Sequence, residues 1–179
     1  MLSGFSNENL EDEKDSLGGA FVVDSAIYDC IIDMCYVEKS SGGAMGFHMD
    51  LKDATTDKII RVTEWISSGD QKGNKNTYTD KKTKKEKPLP GYSRINSMVN
   101  VVLNKDISAL THETKSINRW DNEQKKEVPV AAEVIRELIG QPVTVAIIKQ
   151  TVNKQVKVEA TGQYVPTAET RDENEVVKY

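Results

Sequence analysis

The sequence predicts a mainly β domain with one principal helix and a short second one, and three observations carry that prediction. Apolar and polar residues alternate over several short runs. Clusters of Gly, Ser, Asn, Asp and Pro punctuate those runs at turn-like intervals. One stretch, 95–103, has its apolar residues at i, i+3, i+4, i+7 and i+8, a helical stripe. With 179 residues, 37% of them hydrophobic, the chain has the size of one domain. Such a domain buries ~70% of its unfolded surface and supports a core without disulfides or metal.

Residues 1–19 mix Asp, Glu, Ser, Asn and Gly and close on Leu17-Gly18-Gly19, the composition of an acidic flexible arm; 20–179 is then the folded domain. The first residues lack the basic stretch and apolar run of a secretory leader. Nowhere do the ~18 consecutive apolar residues of a membrane span occur, so a soluble intracellular protein is expected. Ala26–Val37, AIYDCIIDMCYV, is rich in β-branched and aromatic residues and reads as a long first strand. Strand alternation sends Cys30 and Cys35 to opposite faces, so two separate buried thiols are expected, not a bridge.

Ser40-Ser41-Gly42-Gly43 is a turn signal, after which Met45, Phe47, Met49 and Leu51 alternate with Gly46, His48 and Asp50. Asp53–Asp57 makes a second tight connection. KIIRVTEWIS then runs out as a third strand, with Ile60, Val62 and Ile66 on one face and Arg61, Thr63 and Trp65 on the other. If the aliphatic face is the core, Arg61 and Trp65 stand side by side outside. A basic loop, 68–92, is inserted after this strand. Ile95, Met98, Val99, Val102 and Leu103 form the helical stripe, with Ser93 as its cap. KSINRW, 115–120, reads as a short strand followed by the polar, hairpin-like DNEQKKE. AAEVIREL, 131–138, reads as the second helix, ended by Gly140 and Pro142. VTVAIIKQTV is a strand, NKQVKVEATGQYVPTAETRD a hairpin-bearing excursion, and NEVVKY a closing strand. Three strands, a helix, then further strands is the order of the OB-fold, a small β-barrel whose second and third strands and loops bind oligonucleotides.

Charge sharpens the reading. Between Asp70 and Arg94, eight basic residues (Lys72, Lys75, Lys81, Lys82, Lys84, Lys85, Lys87, Arg94) oppose three acidic ones (Asp70, Asp80, Glu86), a local charge of +5. The chain total is −4, so −9 lies elsewhere. Trp65, Tyr78 and Tyr92 lie within or beside the segment. Cations interleaved with rings suit a flexible polyanion bearing flat bases, which is single-stranded nucleic acid. The DNA-binding residues expected are Arg61, Trp65, Lys72, Lys75, Tyr78, Lys81, Lys82, Lys84, Lys85, Tyr92 and Arg94, with Arg119 and Trp120 further along. The strand half is expected to be a base platform, and the loop half an electrostatic collar that is disordered until DNA arrives. The bland alternatives stand beside this one. The lysine run is then a solvated loop, Trp65 and Tyr92 pack at a barrel rim, Tyr28 and Tyr36 belong to core or rim, and Trp120 fits either role.

Catalytic motifs are sparse, and no cofactor is expected. Gly69–Lys75 fails the Walker A spacing, because three residues separate its glycines and Asn74 precedes the lysine. Asp29 with Asp33, or Asp50 with Asp53, is the material from which a Mg²⁺-dependent nuclease would be built, and His48 would serve as a base; solvated acids and a hydrogen-bonded histidine are the simpler readings. His48 and His112 do not stand at zinc-ligand spacing from the cysteines. A protein-interaction component without chemistry is the other alternative.

Several stretches together resemble a known family: LSGF, DSLGGAFVVDSAIY, VEKSSGGAMGFHMDLK, EWISSGDQKGNKNTY, KPLPGY, VAIIKQTVNK and YVPTAETRDENEVVKY. From Leu2 to Tyr179 the chain resembles the single-stranded DNA-binding proteins of N4-like bacteriophages. The resemblance implies a non-enzymatic OB-fold protein that coats exposed strands during phage DNA replication, recombination and transcription. It further implies the cytoplasm of an infected bacterial host, with phage or host polymerases and recombination proteins as partners. The pattern W-xx-SG-xx-KG-xx-NTY falls on Trp65, Ser68, Gly69, Lys72, Gly73, Asn76, Thr77 and Tyr78. Such proteins commonly carry an acidic tail for recruiting partners, and EVVKY is not one.

Overall fold

One strand joins every part of the sheet. In the computed structural model, which describes residues 22–121, 124–158 and 164–179, β1 (Ala26–Lys39) pairs along one edge with β2 (Met45–Asp53), which pairs with β3 (Ile59–Trp65). The expected acidic arm, 1–19, lies outside the described residues. The alternation holds: Phe47, Met49, Leu51, Ile60 and Val62 face the core, while Arg61, Thr63 and Trp65 are exposed. β3 stops at Trp65, so Ile66 is not its last inward residue, and the buried position after Val62 is a carboxylate, Glu64.

The expected opposition of the cysteines fails for a local reason. β1 carries a bulge between Ile32, opposite Leu51, and Met34, opposite Asp50, so Asp33 is an extra residue. One extra residue resets the alternation. Cys30 and Ile32 point inward before the bulge and Cys35 after it, and both thiols are buried and free. Burial pushes Cys30 up to about 11 and Cys35 further still.

The bulge is also where the other edge of β1 changes partner. Residues 26–31 pair with β8 (Pro142–Lys157), and Tyr36 and Val37 pair with β7 (Lys126–Val134). β8 forms a long antiparallel pair with β9 (Tyr164–Lys178), so the expected strand and closing strand lie on opposite arms of one pair and the excursion supplies the outer part of both. β7 pairs with β6 (Glu113–Asp121), longer than the six residues expected. β3 and β9 approach one another without ladder hydrogen bonds, so the sheet is not closed into a barrel.

Two helix expectations need correction. Residues 131–134 are the end of β7, where Ala132 and Val134 are buried at period two and Glu133 lies opposite Thr114. A short apolar run fits either period, and a partner strand decides it. Only Arg136–Leu138 turns, as a single 3₁₀ turn; Gly140 takes φ 83°, and Pro142 opens β8, where a missing N–H is tolerated. The principal helix, α1, runs Pro90–Leu103 and starts three residues before Ser93. Pro90 occupies its first position, where an absent N–H costs nothing. The predicted stripe faces inward, with Ile95, Met98 and Val99 buried in the core beside Phe47 and Leu138.

Gly91 fixes where that helix begins. A Cβ there would stand 2.4 Å from the Trp65 carbonyl oxygen and 3.1 Å from Glu64 Oε2. Only glycine lets the first helical turn press on the end of β3.

Candidate nucleic-acid interface

The basic loop is a structured hairpin, not a disordered collar. β4 (Thr77–Thr79) pairs with β5 (Glu86–Pro88), and the six residues between them turn around Asp80. Its Oδ1 accepts from the amides of Lys82 (2.8 Å) and Thr83 (3.1 Å), and Lys84 takes a left-handed φ of 55°. Asp80 Oδ2 holds the Lys87 ammonium, and that bond, with the two amides, lowers its carboxyl below the ordinary range. Lys87 is thereby neutralised. Lys81, Lys82, Lys84 and Lys85 are exposed and form no ion pair among the described residues, so this turn presents four free cations.

The hairpin stands over a cleft of 820 Å³ at the end of β3. Trp65, Tyr78, Lys72, Lys75, Arg94 and Gly91 all line it, so residues scattered over thirty positions of sequence converge. Backbone ties hold the walls: the Asp70 amide donates to Gly42 O (2.8 Å), Ser68 N to Lys75 O (2.7 Å), and Leu89 N to Asn76 O (2.8 Å). Trp65 and Tyr78 are 48% and 42% exposed, which leaves ring surface open to a ligand. Lys72 and Lys75 are exposed at the rim.

Arg94 lines the cleft with its charge already paired. Its Nε donates to Glu64 Oε1 (2.8 Å) and its Nη2 to Glu64 Oε2 (2.7 Å), a bidentate pair beneath the cleft. Glu64 is 5% exposed, and the bond to it raises the Arg94 pKa further. The pair joins α1 to β3, so Arg94 is a structural cation, not a free one. Tyr179, just past β9, lies against the same pair; burial drives its phenol well above the ordinary value, and its hydroxyl has no hydrogen-bond partner among the described residues. Tyr92, on the first turn of α1, is half-buried and does not line the cleft.

Arg61 belongs to a second recess, a groove of 660 Å³ floored by the outer face of β1–β2–β3 and walled by Ser116–Arg119 of β6. Register explains the floor. Glu38, Gly46 and Trp65 form one cross-strand row; Tyr36, His48 and Thr63 the next; Met34, Asp50 and Arg61 a third. Arg61 Nε lies 3.4 Å from Asp50 Oδ1, and Arg119 is paired with Glu38. The Tyr36 and His48 rings stack at 4.8 Å and 8°, and the Arg119 guanidinium lies 6.0 Å from the Tyr36 ring centre. His48 Nδ1 bonds Thr63 Oγ1 at 3.0 Å, and burial lowers its pKa. A Cβ at Gly46 would stand 2.8 Å from His48 Nε2 and 3.2 Å from Trp65 Cζ3. Glycine there leaves the two rings room, so Trp65 of the cleft and His48 of the groove lie beside one another.

Sequence reasoning missed Tyr36 as a groove residue, and likewise His48, Glu64 and Asp80. The Trp120 backbone belongs to β6, and its side chain lies outside the described residues. Of the acids weighed for metal, Asp50 pairs with Arg61, and Asp53 is buried in the turn with the Thr55 amide and Thr56 hydroxyl. Among the described residues no three His, Cys, Asp or Glu side chains converge as a metal site, and no helix is long and apolar enough to cross a membrane. The geometry defines a class, a mainly β domain with a cationic hairpin over an aromatic cleft. No family model, curated protein or solved structure matches the chain.

Proposed function

We propose that this protein binds single-stranded DNA without sequence preference and without chemistry. The observation that carries the reading is a cleft lined by the exposed rings of Trp65 and Tyr78 with Lys72 and Lys75, one wall of which is the hairpin whose turn carries four lysines without an ion pair among the described residues. Lysines displace counterions from phosphates, and rings stack on bases at ~1–3 kcal/mol each whatever the base. A duplex hides its base faces from such a surface, so single strands win. The fold supports the same reading as an OB-like one: a three-strand meander, a helix, and a last hairpin that returns to β1 and approaches β3, with β4–β5 and β6–β7 as additions. The resemblance of the sequence extends the proposal to coating of exposed strands in phage replication, recombination and transcription inside an infected bacterium, with polymerases and recombination proteins as partners.

Titration of the protein with oligo-dT, read by tryptophan fluorescence and repeated against duplex competitor, tests the proposal. Quenching by single strands that duplex fails to compete away is the expected result. Flat fluorescence together with no salt-dependent binding would sink it.

A further inference from the structure

We propose that the groove between the β1–β2–β3 sheet and β6 is a second base-binding subsite, in which a nucleobase of a single strand slots between the Tyr36 ring and the Arg119 guanidinium. The subsite rests on the strand-binding reading above and deepens it, carrying the strand from the lysine hairpin past Trp65 and across the sheet.

Four observations converge. The Tyr36 ring is held upright by its stack on His48, which is itself fixed by Thr63, so one ring face is backed and its orientation is set in advance. The Arg119 guanidinium lies 6.0 Å from the ring centre. A base stacked on both sides needs about 7 Å, two contacts of about 3.5 Å, so the gap must widen by about 1 Å. The wall that must move pairs with β1 over just Tyr36–Val134 and Val37–Glu133, with the Ile135 amide to the Cys35 carbonyl beside them, and its Arg119–Glu38 pair is more than one-third exposed, hence weak. Finally, Trp65 of the first cleft and His48 of the groove both lie against Gly46, so the two recesses are neighbours.

The chemistry of this half differs from that of the hairpin. Arg61 and Arg119 already face Asp50 and Glu38, so a phosphate gains little there and the groove contributes stacking. Ser116 and Asn118 on the wall offer hydroxyl and amide groups to base edges of any kind.

The test measures binding of the full chain to oligo-dT and oligo-U of increasing length by fluorescence anisotropy. Wild type, Tyr36→Leu, Tyr36→Phe, Arg119→Ala and the Tyr36→Leu/Arg119→Ala double variant are compared. Tyr36→Leu should lose about tenfold on oligonucleotides long enough to reach both recesses and nothing on the shortest that bind, with an unchanged salt slope. Tyr36→Phe should match wild type, and the double variant should lose less than the product of the single losses. Both sugars should lose alike, and a loss confined to one would move the contact to the backbone and overturn the subsite. Photocross-linking of a 5-iododeoxyuridine oligonucleotide to unaltered protein needs no variant to fold: adducts at Tyr36 or His48 are expected. Full affinity of Tyr36→Leu at every length, or adducts confined to Trp65 and Tyr78, overturns the subsite and leaves strand binding standing. A wild type that binds no single strand overturns both.

Discussion

Replacing Lys81, Lys82, Lys84 and Lys85 by Gln should flatten the salt dependence of binding by a calculable amount. Among the described residues six cations between 70 and 94 are free of ion pairs, these four on the hairpin turn plus Lys72 and Lys75 at the cleft, because Lys87 is held by Asp80 and Arg94 by Glu64. Each phosphate neutralised on a single strand contributes about 0.7 to the slope of log affinity against log salt, so full engagement gives a slope of about −4 and loss of four lysines leaves about −1.4. Between 50 and 200 mM salt the wild type should then weaken about 300-fold and the variant about sevenfold. Anisotropy of a labelled oligo-dT at five salt concentrations reads both slopes. A matched variant, with Lys105, Lys149, Lys154 and Lys178 changed to Gln, alters net charge equally but away from the hairpin and should keep the wild-type slope. If the two variants flatten the slope equally, binding responds to net charge and the hairpin has no special part.

Four further outcomes are expected. Trp65→Ala should weaken single-strand binding at least fivefold at every salt concentration with the slope preserved, since one stack and no cation is lost. Glu64→Ala leaves the partly buried Arg94 without its carboxylate and should cost about 3–5 kcal/mol in urea unfolding. Gly91→Val drives a side chain into the Trp65 carbonyl and should cost about 1–3 kcal/mol, with a shifted Trp65 emission maximum as its signature. His48 has its pKa lowered by burial, so the unfolded chain binds the proton more readily. Stability should therefore fall as pH drops from about 6.5 to the depressed value and level off below it, and His48→Gln should remove that slope.

The meander and the outward Trp65 were legible because period two leaves no choice once Ile60 and Val62 are assigned to the core. α1 was legible for the same kind of reason, a stripe that only one period fits, although its start was not: Pro90 and Gly91 read as punctuation and are its first turn. The segment 131–138 misled because its apolar spacing satisfies both periods, and only its pairing with β6 selects one. The cation count was legible, but which cations are free was not. Lys87 and Arg94 are neutralised by Asp80 and by Glu64, contacts set by a tight turn and by a crossing thirty residues apart. The groove escaped notice because Tyr36 and Cys35 change faces at Asp33, and no composition signal marks a bulge.

That bulge has a mechanical consequence. Removing Asp33 would leave every later residue of β1 on the face it now occupies, since Ile32 inward, Met34 outward and Cys35 inward is already regular alternation without it. What would vanish is the bend, and with it the hand-over from β8 to β7, which is stitched by Gly140 N to Ile32 O (2.7 Å) and Ile135 N to Cys35 O (2.9 Å). The Asp33 deletion should keep a folded core and an intact hairpin slope yet release the β6–β7 arm from its pitch over Tyr36. A single residue of the first strand thus sets the gauge of a slot whose opposite jaw is made far later in the chain.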